Sequence, residues 1–389
     1  MAIVYTSATA LPAQYDIALD ANDTVYTGRS ATAANIAALS AYGVATPTFT
    51  AASAGTATRQ IAPDALGNVW VTNNGTLLAQ YSASGGGAPT NTYTFTGGDV
   101  FGVAVDKANN VWVANAVATS PNITEYAYSA GTYAANYTAT AAGGFEPVEL
   151  TIDAAQNVWV SAYYTGGTYA NVLANLTPAA TATYTTSGTT ITPVSATFAS
   201  SATKPLGVVI DASGNAWYGI TGSNSVTTTG IEEVIPTLNG SSVITGITPQ
   251  SLIANATLGA LASQIPGIDG AGSVYLPDNQ GGGALGVHVY STVAVTGNSS
   301  QVLSPPSGYL GCYLATAAST TCAGPSTSTA ISAVYNPREI AIDSTGSVWA
   351  GITTGGFTQL IGLAAPSWPL LATGRPGQHP GDGTATPLP

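Results

Sequence analysis

The stretch Ile210-Asp211-Ala212-Ser213-Gly214-Asn215-Ala216-Trp217 decides the fold, because its pattern occurs seven times along the chain. In every copy an apolar or β-branched run precedes the Asp, turn-forming residues follow it, and an aromatic residue lies six positions after it. The seven pairs are Asp20 and Tyr26, Asp64 and Trp70, Asp106 and Trp112, Asp153 and Trp159, Asp211 and Trp217, Asp269 and Tyr275, and Asp343 and Trp349. Each copy predicts a β-hairpin whose Asp side chain caps the turn. Calcium at a single turn is disfavoured, since calcium takes about six to eight oxygen ligands.

The spacing of the copies indicates how the hairpins are arranged. Successive Asp residues lie 44, 42, 47, 58, 58 and 74 residues apart, near the period of about 40–50 residues that is typical of propeller blades. A Trp placed regularly in a strand predicts packing between adjacent sheets. We therefore predict an all-β fold, a seven-bladed β-propeller of four-stranded antiparallel blades, spanning residues 1–364. A short strand within Ala2–Thr6 is expected to close the last blade, and a Pro/Gly-rich, extended C-terminal tail is predicted at 365–389.

The repeat frame, Ile-Ala-Val/Ile-Asp followed by Gly-Asn-Val-Trp-Val, resembles the NHL repeat and the repeats of virginiamycin B lyase-like propellers. The resemblance extends from about Tyr15 to Leu363 and implies a β-propeller. It leaves the function open, because such propellers include enzymes, protein binders and scaffolds. Lyase chemistry of the virginiamycin kind resembles a metal-assisted elimination with a histidine acid or base. The two histidines here, His288 and His379, lie outside the repeat frame, so no catalytic residue is assigned.

Composition excludes several classes of partner. Only 6% of the 389 residues are charged, and the net charge is −12. An acidic chain lacks the basic face that nucleic acid requires, and it is not attracted to anionic membranes. No apolar run of about 18 residues is present, so no membrane span is predicted.

The two cysteines, Cys312 and Cys322, lie ten positions apart in one Gly/Ser/Thr-rich segment. Two thiols do not complete a structural zinc site, so a local disulfide is predicted. A disulfide is typical of a secreted, extracellular or periplasmic protein. The apolar part of the tail, Trp368-Pro369-Leu370-Leu371, is expected to pack on the propeller or on a neighbouring subunit. Protein or glycan partners, with self-association through the tail, are therefore predicted.

The candidate ligand site is found by counting back from each Asp along the first strand of its hairpin. We call the residue five positions before the Asp the mouth position and the residue four before it the clasp position. The candidate ligand-binding residues at these positions are Tyr15, Asp16, Arg59, Gln60, Phe101, Glu149, Arg338 and Glu339. They include three of the 18 acidic residues and two of the four arginines of the chain.

Three interpretations of this cluster remain open at this point. It predicts a polar pocket for a small molecule, a sugar or a peptide end. Alternatively, Asp16, Glu149 and Glu339 hold a cation such as calcium, or Arg59 and Arg338 neutralise acids around a water-filled channel. No other cofactor is expected. Two functions follow: an extracellular, non-catalytic structural, adhesion or self-assembling binding module, or a metal-assisted lyase or lactonase-type hydrolase with its site at the channel mouth.

Overall fold

The structure is a computed structural model of the chain. It describes residues 2–5, 14–29, 36–39, 49, 57–73, 75–116, 122–140, 145–153, 156–164, 172–176, 194–197, 203–222, 230–239, 244–250, 253–254, 265–278, 286–291, 309–313, 337–352, 357–361, 364, 367–368 and 386–387. All regular elements in these ranges are β-strands.

The described strands form seven sheets of three or more strands, numbered here in chain order. The N-terminal strand is β1 (Ala2–Tyr5). Sheet 1 consists of β2 (Gln14–Leu19), β3 (Val25–Arg29) and β4 (Ile36–Leu39). Sheet 2 consists of β5 (Thr58–Pro63), β6 (Asn68–Asn73), β7 (Leu77–Ser82) and β8 (Asn91–Thr94). Sheet 3 consists of β9 (Val100–Val105), β10 (Val111–Asn115), β11 (Asn122–Ser129) and β12 (Thr132–Thr140).

Sheet 4 consists of β13 (Phe145–Ile152), β14 (Val158–Tyr164), β15 (Val172–Leu176) and β16 (Val194–Thr197). Sheet 5 consists of β17 (Thr203–Ile210), β18 (Ala216–Gly222), β19 (Gly230–Leu238), β20 (Ile244–Pro249) and β21 (Ile253–Ala254). Sheet 6 consists of β22 (Gly267–Ile268), β23 (Ser273–Asp278), β24 (Gly286–Ser291) and β25 (Tyr309–Tyr313). Sheet 7 consists of β26 (Pro337–Ile342), β27 (Val348–Ile352) and β28 (Phe357–Leu360), and the N-terminal strand β1 pairs with β28 as its fourth strand. In the tail, β29 (Ser367–Trp368) pairs with β30 (Thr386–Pro387).

The predicted hairpins are confirmed. In every sheet the first two strands pair antiparallel around the repeat turn. At Asp211, the Oδ1 atom accepts hydrogen bonds from the backbone N–H groups of Ser213 (2.8 Å) and Asn215 (2.9 Å). The Oδ2 atom accepts from Asn215 Nδ2 (3.2 Å) and Trp217 Nε1 (3.0 Å). The bond from the aromatic residue to Asp Oδ2 is present in all seven copies, at 2.9–3.2 Å.

The third residue after each repeat Asp has a positive φ angle. In four copies it is a glycine, which adopts this conformation without steric cost, as at Gly67 (φ 81°). In the other three copies it is Asp23, Asn109 or Gln156, and the side-chain oxygen of each accepts an N–H from the turn of the preceding sheet around the ring. These donors are Ser344 (3.0 Å), Ala65 (3.2 Å) and Lys107 (2.9 Å), respectively. The turns of neighbouring sheets are therefore linked wherever this residue has an acceptor side chain.

The aromatic residues of the repeat pack between adjacent sheets, as predicted. Trp70 lies in one apolar cluster with Val103 and Val105 of the next sheet. Trp349 of sheet 7 lies in a cluster with Ile17 and other residues of sheet 1. The indole rings of all five repeat Trp residues are almost fully buried, so this contact is the main apolar link between successive hairpins.

The inner strands contact one another in a closed order. β2 contacts β5, β5 contacts β9, and the series continues through β13, β17, β22 and β26 back to β2. These contacts and the stacked hairpins identify an all-β propeller. The predicted four-stranded blades are confirmed in part: among the described strands, five sheets have four, sheet 1 has three, and sheet 5 has five because β21 also pairs with β19. The outer strands carry no repeat motif, so their number is free to differ between copies.

Several expectations fall on residues that the structure does not describe. The alternating, Thr-rich stretch 181–198 predicts a long hairpin, of which the structure describes only β16. The stretch 252–263 predicts a strand followed by a short helix, of which the structure describes only β21. Most of the tail at 365–389 lies outside the described ranges as well. Among the residues that are described, no helix is long and apolar enough to cross a membrane.

Candidate functional site

A cavity lies where the inner strands of sheets 2 to 7 converge. Its space is about 580 Å³, including its open mouth. The lining residues at the mouth position are Arg59, Phe101, Val148, Leu206 and Arg338, and those at the clasp position are Gln60, Glu149 and Ile265. Residues at equal distances from six of the seven Asp residues thus meet in space, because the hairpins share one register relative to their turns.

The structure brings five of the eight predicted site residues together around this cavity. They are Arg59, Gln60, Phe101, Glu149 and Arg338. Arg59 lies over the ring of Phe101, with 4.5 Å between its Cζ atom and the ring centroid, a distance typical of cation–π contacts. The side chain of Tyr15, a sixth predicted residue, is outside the described part of the structure.

The two remaining predicted residues, Asp16 and Glu339, are buried and do not line the cavity. Glu339 Oε2 accepts the backbone N–H of Ile17 at 2.9 Å, and Asp16 Oδ2 accepts the backbone N–H of Ile61. In both cases the donor is in the inner strand of the next sheet around the ring. Both carboxylates are therefore hydrogen-bond acceptors between strands, and the ligand role predicted for them stays a prediction.

Gln60 makes the same kind of contact and also lines the cavity. Its Oε1 atom accepts the backbone N–H of Val103, in the inner strand of sheet 3, at 2.7 Å. Only 3% of the residue is exposed, and its Nε2 atom has no hydrogen-bond partner among the described residues. Because the acceptor bond fixes which end of the amide is which, the cavity wall carries a buried donor.

Glycine occupies the clasp position where the strands approach too closely for a side chain. A Cβ atom at Gly207 would lie 2.5 Å from Ile265 Cα and 2.9 Å from Glu149 Oε2. A Cβ at Gly102 would lie 2.8 Å from the carbonyl oxygen of Val148. The clasp position therefore either bridges two sheets or makes room for a neighbour, according to what the next strand presents.

Glu149 gives the cavity wall a buried carboxyl group, with 2% of the residue exposed. Burial, and then the nearby Glu149 carboxylate, raises the pKa of the Tyr218 hydroxyl well above its usual value. Tyr218 belongs to the second strand of sheet 5 and is fully buried. Sequence reasoning missed it, because it lies one position after the repeat Trp rather than at the start of an inner strand.

The acids predicted to hold a cation do not form a metal-binding group. In the part of the chain that the structure describes, no three or more His, Cys, Asp or Glu side chains are placed to hold a metal ion. Asp16, Glu149 and Glu339 are all within this part.

The histidines and cysteines are placed only in part. His288 lies in β24 and pairs across the sheet with Cys312 of β25 through the backbone, but neither side chain is described. His379 and Cys322 lie outside the described residues, so the disulfide between Cys312 and Cys322 stays a prediction.

Comparison with solved structures supports the fold. A streptogramin B lyase aligns over 93% of this chain and 97% of its own, with a TM-score of 0.64 and 12% identity. A virginiamycin B lyase from Staphylococcus aureus, solved with quinupristin, aligns over 93% and 99%, with a TM-score of 0.62 and 12% identity. The Cps50 (Swd1) β-propeller domain from Myceliophteria thermophila aligns over 91% and 97%, with a TM-score of 0.59 and 9% identity.

Likeness at such low identity establishes the β-propeller fold and nothing about activity. Neither a protein-family model nor a curated protein sequence matches the chain. The assignment to the NHL repeat is therefore not confirmed, whereas the likeness to virginiamycin B lyase-like propellers holds at the level of the fold.

Proposed function

We propose that this chain is an extracellular, non-catalytic β-propeller that acts as a structural, adhesion or self-assembling binding module, with a ligand site in the cavity at the mouth positions. One observation carries the proposal: the mouth and clasp positions, which are adjacent in each inner strand, make different kinds of contact. Mouth residues line the cavity, whereas Asp16 and Glu339 at the clasp position accept backbone N–H groups between sheets. Two of the three predicted site carboxylates, Asp16 and Glu339, thus join strands, and Glu149 is the one that lines the cavity.

The chemistry of the cavity wall favours binding over catalysis. Among the residues that the structure describes, the lining includes no His, Cys, Ser, Thr, Lys or Tyr. Covalent catalysis requires a nucleophile next to a base that activates it, and such a pair is absent from this lining. A few polar groups among apolar side chains, here two arginines, one amide and one carboxyl group, are instead typical of small-ligand pockets.

The extracellular assignment rests on composition and on the cysteines. Charged residues are 6% of the chain, far below the roughly 25% of ordinary soluble domains. A disulfide between Cys312 and Cys322 would agree with an oxidising compartment. The purified chain, denatured without reductant, should therefore contain no thiol that reacts with a thiol reagent. Two reactive thiols per chain would contradict both the disulfide and the extracellular assignment.

Partners of the proposed module are proteins or glycans, including further copies of this chain. The proposal also treats the three-stranded sheet 1 and the five-stranded sheet 5 as blades of the ring. Residues 365–389 are proposed to mediate self-association. Deleting them should abolish assembly, measured by light scattering, while the cooperative thermal unfolding of the propeller is retained. An unchanged mass distribution after the deletion would rule out the tail as the connector.

The test of the function as a whole compares the native chain with and without a chelator. We expect the mass distribution and the unfolding temperature to be unaffected by EDTA, and no stoichiometric metal to be found by elemental analysis. A monomer that contains metal and loses stability with EDTA would instead support the alternative, a metal-assisted lyase or lactonase-type hydrolase with a channel cation such as calcium.

A further inference from the structure

The cavity at the mouth positions carries more positive charge than the chain around it. The described residues of its lining include Arg59, Arg338 and one acid, Glu149, which together have a formal charge of +2 − 1 = +1, although the chain as a whole has a net charge of −12. Two of only four arginines in the sequence line this one cavity. A ligand with one negative charge matches this balance.

Arginine is suited to a planar anion, because its guanidinium group presents parallel N–H donors that match the two oxygens of a carboxylate. The contact with Phe101 occupies one face of the Arg59 guanidinium, at 4.5 Å from the ring centroid. The face contact orients the guanidinium plane, whose N–H donors lie in that plane rather than on the face that meets the ring. A side chain held in this way loses less conformational freedom when a ligand binds.

Gln60 supplies an independent indication of a ligand. Its Oε1 atom is engaged by the backbone N–H of Val103 at 2.7 Å, and the residue is buried in the cavity wall. The Nε2 donor has no partner among the described residues. Buried donors in folded proteins are almost always satisfied. A ligand oxygen bound in the cavity would satisfy this one.

The remaining wall is apolar and comes from Phe101, Val148, Leu206 and Ile265. These side chains favour a ligand whose body is aromatic or aliphatic. The Glu149 carboxyl group disfavours a dianion such as a phosphate monoester, because the charge of two arginines is already reduced by one. The wall thus selects both the charge and the body of the ligand.

We infer that the cavity binds a carboxylate attached to an apolar body, with Arg59 and Arg338 facing the carboxylate and Gln60 Nε2 donating a hydrogen bond to one of its oxygens. This inference rests on the proposed binding function and specifies its ligand class. The same chemistry is present at the C-terminus of a peptide that ends in an apolar residue and in a free arylalkanoic acid.

The test is isothermal titration of the full chain with three probes: N-acetyl-leucyl-phenylalanine, its C-terminal amide, and 3-phenylpropanoate. We expect the free acid of the peptide to bind at least about 10-fold more tightly than the amide, since the amide has lost the negative charge. If 3-phenylpropanoate binds as tightly as the peptide acid, the ligand is a free acid; if it binds more weakly, the ligand is a peptide end.

Two variants and one control distinguish a loss of carboxylate binding by Arg59, Arg338 and Gln60, called here the carboxylate clamp, from a loss of folding. Gln60→Glu keeps an acceptor for the Val103 N–H, as Asp16 and Glu339 do at the same position of other sheets, but it replaces the Nε2 donor by a carboxylate oxygen. Arg338→Gln removes one guanidinium. Both should weaken binding of the peptide acid at least about 10-fold while unfolding temperature stays near that of the parent. Lys107→Gln removes one positive charge from an exposed turn and should leave binding unchanged.

The outcomes distinguish this inference from the proposed function. Equal affinity for acid and amide, with both variants unaffected, would overturn the carboxylate clamp and leave a binding module with another ligand. No binding of any probe at millimolar concentration would also overturn the clamp. The proposed function fails separately, through the sensitivity to chelator described above.

Discussion

The repeat turns and the clasp positions both bury acidic side chains, but the turns bond them within one copy of the repeat, whereas the clasp positions bond them to the next copy. At each turn the Asp accepts hydrogen bonds from residues of its own copy, such as the indole N–H six positions later. At the clasp position, Glu339 and Gln60 accept N–H groups from the inner strand of the next sheet. The first contact builds a hairpin and is present in every copy. The second joins two hairpins and depends on the neighbour, so it varies along the chain.

The largest effect is expected from breaking a turn. Asp211→Leu leaves the N–H groups of Ser213 and Asn215 and the Trp217 indole without their acceptor, whereas the Asn215 amide keeps Glu233. Because the buried indole N–H and two turn N–H groups lose their partner together, we expect a loss of about 3 kcal/mol in the free energy of unfolding. Denaturant unfolding followed by tryptophan fluorescence measures it.

Asp211→Asn is the control for this turn. Its Oδ1 atom can still accept the two backbone N–H groups, but its NH₂ group faces the donors of Asn215 and Trp217. The loss should be smaller than for Asp211→Leu and still measurable. If Asp211→Leu costs no more than an exposed substitution such as Ala212→Ser, the turn carboxylate is not what holds the hairpin.

The next effect comes from breaking a clasp. Glu339→Leu leaves the buried N–H of Ile17 without an acceptor, which we expect to cost about 2 kcal/mol. Glu339→Gln should cost less than half as much, because the glutamine at position 60 makes the same contact in the structure. Thermal unfolding of the two variants side by side measures the difference. Equal losses for Leu and Gln would mean that charge, rather than the accepted hydrogen bond, matters at this position.

The same contrast explains what the sequence could predict. The hairpins and the packing of Trp70 or Trp349 follow from a local pattern, since the Asp and the aromatic residue are six positions apart in every copy. Counting back from the Asp also predicted that Arg59, Phe101 and Arg338 lie close together. They line one cavity, because all three are five positions before the Asp and the hairpins share one register.

The sequence did not predict which of the polar residues would face the cavity. Asp16 and Gln60 occupy equivalent positions, yet only Gln60 lines the cavity. That choice depends on how closely the next inner strand approaches, as the 2.5 Å from a Cβ at Gly207 to Ile265 Cα illustrates. Such distances between strands of different copies are set by the packing of whole sheets. The outer strands are also hard to predict from the sequence, because no motif marks them.

A smaller effect is expected at the links between turns. Asn109 has a φ of 66° and accepts the Ala65 N–H at 3.2 Å. Asn109→Ala loses this bond and keeps the left-handed conformation, so we expect a cost of about 1 kcal/mol. Asn109→Gly also loses the bond but adopts the φ angle freely, as Gly67 does at the same position. Its stability, measured by urea unfolding, should stay within about 0.5 kcal/mol of the parent. A glycine variant as unstable as the alanine variant would show that the link, not the backbone, dominates.

The smallest effect concerns Glu233, which is cross-strand from Trp217 and accepts Asn215 Nδ2 at 3.0 Å. Burial, and then repulsion from Asp211, raises the pKa of the Glu233 carboxyl group, while the bond from Asn215 opposes the shift. A raised pKa in the folded state means that the protonated form is favoured by folding. The resulting stability is fully present below the ordinary pKa near 4.5 and is lost as the pH rises through the raised value.

Glu233→Gln keeps the acceptor for Asn215 and removes the titration. Its unfolding temperature relative to the parent should therefore rise between pH 4 and pH 7, by an amount equivalent to less than about 1 kcal/mol. Glu233 belongs to the same hydrogen-bonded group as the turn of Asp211, so this variant tests whether the turn tolerates a second charge. A difference between variant and parent that stays constant from pH 4 to pH 7 would mean that Glu233 titrates alike in the folded and unfolded chain, and that its proximity to Asp211 carries no electrostatic cost.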